Sequence, residues 1–176
     1  MPGWAALPGR LGNKILSGGH GVTDSSWQAR LDRIESRQAI EDLASNYCHG
    51  FDKRDEDRFL SIWWSDCVWN IGPPFGSFEG HAGILTALHD VLWPAWGMSQ
   101  HITSNHVVTF SDDDHAVACC DVDCTGVLSE SPAATFVGAT YTDHVERRDG
   151  VWKIAQRDVE IHYFNSFEGT TLSKPE

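Results

Sequence analysis

From Trp27 to Asp52 the apolar positions Trp27, Leu31, Ile34, Ile40, Leu43, Ala44, Tyr47 and Phe51 step by three or four residues, with one longer gap. That rhythm predicts a helix with one buried face, capped at its start by Ser25 or Ser26. Lys53-Arg54-Asp55 reads as a polar corner before a short second helix over Glu56 to Trp64. Cys67 to Ile71 reads as a strand running into the turn Gly72-Pro73-Pro74, and Phe78-Glu79-Gly80 as its short return. A third helix over His81 to Leu92 carries Ile84, Leu85, Leu88 and Leu92 on one side and is expected to stop at Pro94.

Beyond that point the pattern changes to alternating and β-branched runs. Strands are expected at His101 to Phe110, His115 to Leu128, Phe136 to Arg147 and Val151 to Phe164. Arg148-Asp149-Gly150 has the composition of a hairpin turn. Helices first and a long antiparallel meander last predict an α+β domain, a curved sheet around helices, with a cone-shaped pocket between them. We divide the chain into a flexible N-terminal arm (1–25), a single domain (26–168) and a C-terminal tail (169–176).

A chain of 176 residues suits one domain. The formal charge of −12 repels phosphates and anionic surfaces, so neither nucleic acid nor membrane is an expected partner. The five cysteines lack C-x-x-C spacing and read as free thiols in a reducing, cytoplasmic setting. No apolar run reaches the roughly 20 residues that span a bilayer. The nine histidines include no H-x-H or H-x-x-x-H pair, and the chain has no P-loop, no G-x-G-x-x-G and no G-x-S-x-G, so neither metal nor organic cofactor is expected.

Four residues stand out as candidate chemistry. His101 opens a strand after the aromatic segment Trp93 to Met98, where an imidazole can serve as a general base or simply as a hydrogen-bonded structural group. Asp52 ends an apolar helix face, where carboxylates are disfavoured; it is either exposed or paired, and a paired carboxylate can hold an imidazole in one tautomer. Arg157 lies on the strand face opposite Gln156 and Asp158, ready to bind an anion or carbonyl or to pair with an acid. Tyr47 is either core or a hydroxyl donor into the same cavity. Trp63, Trp64, Trp69, Trp93 and Trp96 supply apolar surface for pocket or core.

The runs Phe51-Asp52-Lys53-Arg54, Ser61 to Asp66, Val91 to Pro94, His101 and Glu146 to Lys153 resemble, in order and spacing, the hexachlorocyclohexane dehydrochlorinase family. That family belongs to the SnoaL-like, nuclear-transport-factor-2-like superfamily, with scytalone dehydratase and bile-acid 7α-dehydratase. The resemblance covers about Arg33 to Phe164 and implies a cone-shaped α+β barrel. It implies that His101 abstracts a proton from carbon, that Asp52 completes the dyad and that Arg157 stabilises the leaving anion. Tyr47 departs from the dehydrochlorinase pattern, which has a lysine there, and is similar to the bile-acid dehydratase arrangement, which favours loss of water. Cys124 falls where the bile-acid enzyme has an aspartate, which argues against a steroid.

The expected function is therefore a cofactor-independent lyase acting on a small, cyclic, largely apolar molecule. Substrate contacts are expected at Trp69, Trp93, Val122, Cys124 and Tyr141. The alternatives are an isomerase or polyketide cyclase using the same dyad, and a non-catalytic binding or oxygenase small-subunit-like domain. A homo-oligomer, dimer or trimer, is expected through the outer sheet face.

Overall fold

The computed structural model describes residues 24–175. Most of the expected N-terminal arm lies outside the described residues, but Asp24 and Ser25 already belong to helix α1 (Asp24–Asp52), so neither Ser25 nor Ser26 caps it. Asp55 caps α2 (Glu56–Ser61) by accepting a hydrogen bond from the Arg58 amide at 3.1 Å. Strand β1 (Trp63–Gly72) claims Trp63 and Trp64 from the expected second helix and is followed by β2 (Gly76–Glu79). Helix α3 (Gly80–Thr86) widens into a π-helical stretch, Ala87–Leu92. Pro94 does not end the helical course, which continues through a last turn, α4 (Trp93–Ala95). A proline at the first positions of such a turn loses no intrahelical bond.

Four long strands complete the domain: β3 (Trp96–Phe110), β4 (His115–Leu128), β5 (Ala133–Arg148) and β6 (Val151–Thr171). The six strands are ordered β2-β1-β6-β5-β4-β3; all neighbours are antiparallel except β1 and β6, which are parallel. β6 runs through Thr171, three residues into the expected tail. Asp149 and Gly150 take φ of 52° and 80°, the paired left-handed conformation of a tight hairpin that follows strand twist.

The expected single apolar face of α1 is corrected by the structure. Ile40, Leu43, Ala44, Tyr47 and Phe51 are buried in the cone, whereas Trp27, Leu31 and Ile34 are 55%, 47% and 65% exposed. At about 100° per residue, the six-residue gap between Ile34 and Ile40 turns the helix by about 240°, so the earlier positions point away from the sheet. The helix carries two apolar faces, and the cone covers one.

Two irregularities in the sheet decide which side chains face inward. Along β6, Trp152 and Ile154 are buried, then Arg157; the register shift that pairs Val145 with Ile154 but His144 with Gln156 leaves Ala155 as an extra residue. That bulge moves the inward set from even to odd positions and brings Arg157 inside. A second shift on β3 between Ser104 and Val107, where Asn105 has φ of 54°, bends the edge strand around α1.

The corner after α1 is tight. A Cβ on Gly50 would lie 2.8 Å from the Phe59 amide nitrogen, so α1 and α2 approach as closely as a glycine allows. Substituting Gly50→Ala is expected to cost about 1–3 kcal/mol by forcing the two helices apart, read from urea denaturation. A loss below about 0.5 kcal/mol would show that the corner yields.

Candidate active site

The last residue of α1 meets the edge strand β3. An edge strand leaves one row of amides unpaired by its sheet, and the His101 amide is one of these. It donates to Asp52 Oδ2 at 2.7 Å. The His101 ring lies 2.6 Å through Nδ1 from Asp52 Oδ1, which also accepts from the Ser99 hydroxyl at 2.7 Å. The helix end thus positions the carboxylate while the strand supplies three donors. With Nδ1–H committed to the carboxylate, the lone pair of the neutral ring resides on Nε2.

Both side chains are mostly buried, at 8% exposure for His101 and 13% for Asp52. Burial alone would raise the Asp52 pKa. The hydrogen bond and charge of the His101 ring, with those from its amide and Ser99, outweigh burial and hold the carboxyl below its ordinary value. The His101 ring packs edge-on against Phe51 (4.9 Å between centroids) and Tyr47 (5.9 Å), which restricts its rotation.

His101 forms part of the wall of a narrow cavity of about 70 Å³ inside the cone. Tyr47, Trp69, Val122, Cys124 and Tyr141 line the same cavity. Burial drives the Tyr47 and Tyr141 hydroxyls far above their ordinary pKa and the Cys124 thiol to about 12, so all three are neutral. The Tyr141 hydroxyl donates to that of Tyr47 over 3.4 Å. Such an arrangement leaves the Tyr47 proton available to an acceptor in the cavity.

Two expected site residues are placed elsewhere. Trp93 does not line this cavity; it borders a separate hollow beside Asp52, and its Nε1 donates to the Phe51 carbonyl at 3.1 Å, tying α4 to the end of α1. Arg157 is fully buried but stands behind the cavity wall. Register sets it directly opposite Asp143, and the two form a bidentate pair at 2.6 and 2.7 Å. Its guanidinium lies over the rings of Tyr47 and Tyr141, 4.4 and 4.2 Å from their centroids, and Nη1 has no hydrogen-bond partner among the described residues. Burial would lower the Arg157 pKa; the adjacent Asp143 carboxylate more than offsets it, so the group stays charged. The cation is thus placed to act on the cavity through the two phenol rings.

The sequence reading missed much of the wall. Val137 and Ala139 precede Tyr141 on the inner face of β5, and Val159 and Ile161 follow Arg157 on β6; period-two spacing from the named residues would have found them. Phe75 and Phe164 had no such signal. They come from the β1–β2 turn and the far half of β6, and their rings meet at 6.5 Å, with Trp96 6.1 Å from Phe164. Of the other tryptophans, Trp63 is core, and Trp64 lies beneath Arg148 with its Nε1 donating to the Glu146 carbonyl. Among the described residues no three His, Cys, Asp or Glu side chains gather as a metal-binding group, and no helix is long and apolar enough to cross a membrane.

Comparison with known proteins identifies the family of this fold. A SnoaL-like domain profile matches residues 32–158. Hexachlorocyclohexane dehydrochlorinase 1 of Sphingobium indicum is 39% identical over 145 residues, covering 82% of this chain and 94% of that protein. The crystal structure of LinA superposes with a TM-score of 0.80 at 37% identity, covering 84% of this chain and 99% of the other. A scytalone dehydratase-like protein of Novosphingobium aromaticivorans, with a TM-score of 0.70 at 18% identity over 84% and 99% of the two chains, shares the fold.

Two measurements probe the buried charges. Asp143→Ala leaves the Arg157 cation without its counter-ion and is expected to cost about 3–5 kcal/mol, whereas Asp143→Leu combined with Arg157→Met should cost less than either single change. Equal or greater loss in the double variant would contradict this. Because the folded state holds Asp52 below its ordinary pKa, its carboxylate stabilises the fold fully above about pH 4, and the contribution disappears as pH falls through the lowered value. The stability gap between wild type and Asp52→Asn should therefore narrow as pH falls below about 4; a constant gap in urea titrations would rule out the linkage.

Proposed function

This chain belongs to the SnoaL-like domain family, and on that premise we propose that it is a cofactor-independent lyase that removes water or halide from a small, cyclic, largely apolar molecule. The observation that carries the reading is the 2.6 Å contact between His101 Nδ1 and Asp52 at the wall of an apolar cavity. His101 Nε2 takes a proton from a substrate carbon. The electrons of that C–H bond form the new double bond, and the leaving group departs with its own electron pair. Asp52 keeps the ring in the reactive tautomer and stabilises the imidazolium.

The named relatives act on hexachlorocyclohexane, which supports a ring of that size as substrate. Tyr47 shapes the choice of leaving group. A neutral phenol donates one hydrogen bond to an oxygen, which suits a departing hydroxyl or an adjacent carbonyl better than a chloride. Arg157 supports the step from behind the rings: its positive charge draws density from both phenols and strengthens them as donors. Free thiols at Cys48, Cys67, Cys119, Cys120 and Cys124 support a reducing, cytoplasmic setting.

The same donors would serve a carbonyl in an isomerase, and product mass separates the two readings, since isomerisation conserves it. The experiment is deuterium uptake and product mass in heavy water with γ-hexachlorocyclohexane, cyclic hydroxy-ketones and phenolic alcohols. His101→Ala is expected to lose about 10²–10⁴-fold of the rate, and Asp52→Asn a comparable amount. Turnover equal to wild type in both variants would refute the dyad.

A further inference from the structure

The cavity beside His101 is smaller than the ring it is proposed to receive. Its volume is about 70 Å³, whereas a cavity of about 150 Å³ accommodates benzene. A cyclic molecule therefore reaches His101 only if part of the wall moves. Most of the wall is fixed. The His101 ring is held by Asp52, and Trp69 packs on the rings of Tyr47, Phe59 and Trp63 at 5.9, 5.6 and 5.6 Å. Val122 and Ala139 belong to β4 and β5, which are paired on both sides. Trp96 is 7% exposed, and its carbonyl accepts from Arg54 at 2.8 Å.

The turn that carries Phe75 is held differently. Pro73, Pro74, Gly76 and Ser77 around it are exposed, yet the Phe75 ring is partly buried and lines the cavity. Gly72 pairs with Gly76 across the base of the turn, with φ of 81° and 98°, and a Cβ on either would meet nothing within 4 Å. Between these two glycines stand two prolines whose rings fix φ. A stiff segment joined to the sheet by two unpacked glycines has the build of a hinged flap. At its tip the Phe75 ring meets that of Phe164 at 6.5 Å. Phe164 is 39% exposed and lies on β6 beyond Asp158, where the pairing with β1 has ended.

We propose that Phe75 is a retractable plug that admits substrates by size. The turn swings about Gly72 and Gly76, withdraws the phenyl ring from the mouth of the cone and joins the space it leaves to the cavity. Vacating one phenyl ring adds a space the size of the ring that enters. On the reading of the cavity as the place of ring elimination, Phe75 is thereby a specificity-determining residue for that reaction. Phe164 forms the fixed side of the mouth, since its backbone stays in the ladder with β5, opposite Val137. Opening exposes apolar surface of Phe75, and burial of an incoming ring offsets that cost. The open form is therefore a minor state that a ring draws on and a small acyclic molecule does not need.

Stopped-flow quenching of tryptophan emission by nitrobenzene, with acyclic nitromethane as the small probe, tests the plug. Trp69 and Trp96 line the cavity and report arrival. In wild type, nitrobenzene is expected to give a slow phase whose rate levels off with concentration, because opening precedes entry, and nitromethane is expected to lack it. Phe75→Ala should speed that phase about tenfold or more and abolish the levelling, and Phe75→Leu, which keeps an apolar anchor in the turn, should fall between. Val122→Ala enlarges the cavity from a central strand and should leave the entry rate within about twofold of wild type. Entry into wild type that is fast and linear in concentration would overturn the plug. So would an unchanged phase in both Phe75 variants, an equal acceleration by Val122→Ala, or nitrobenzene that reaches the cavity of neither wild type nor Phe75→Ala. Nitrobenzene undergoes no elimination, so His101→Ala should show the entry kinetics of wild type, and loss of turnover is read apart from loss of the plug.

Discussion

The Asp52 carboxylate is the point on which the site depends. It closes α1, and it accepts from the ring and amide of His101 and from the Ser99 hydroxyl. A carboxylate at a helix C-terminus faces the negative end of the dipole, so these three donors must compensate for an unfavourable position. They also keep the edge strand β3 against the helix, and they leave one nitrogen of the imidazole free. Removing the carboxylate would therefore loosen a strand and alter a tautomer in the same stroke.

A second constraint is the ion pair beneath the cavity. Two buried charges are tolerated because Asp143 and Arg157 meet as direct cross-strand neighbours with bidentate geometry. That alignment exists only because Ala155 bulges out of β6 and shifts the inward phase. Without the extra residue the guanidinium would point outward and the tyrosine pair would have no cation behind it. One residue of register thus connects the regularity of the sheet with the electrostatics of the cavity.

The order of elements and the four long strands were legible because alternation and turn chemistry are local signals. His101 and Asp52 could be named as a pair only through family resemblance, since 49 residues separate them and the fold alone brings them together. The helical period was legible in α1, but its phase was misread across the gap from Ile34 to Ile40, and a single buried face was expected where there are two. Trp93 carried the composition of a wall residue, yet its indole nitrogen ties it to the Phe51 carbonyl, which no sequence pattern signals. Phe75 and Phe164 were invisible for a related reason: a rim built from segments far apart in the chain has no period to read.

That rim is structurally independent of the helix end. Asp52 and His101 sit on α1 and β3, whereas Phe75 and Phe164 belong to the β1–β2 turn and to the far half of β6, where the strand runs out into solvent. Changes in those two segments alter the entrance without disturbing the helix end, the edge strand or the ion pair. The proposed reactive pair and the mouth of the cavity are thus built from separable parts of one scaffold, so the entrance can be reshaped without moving the pair.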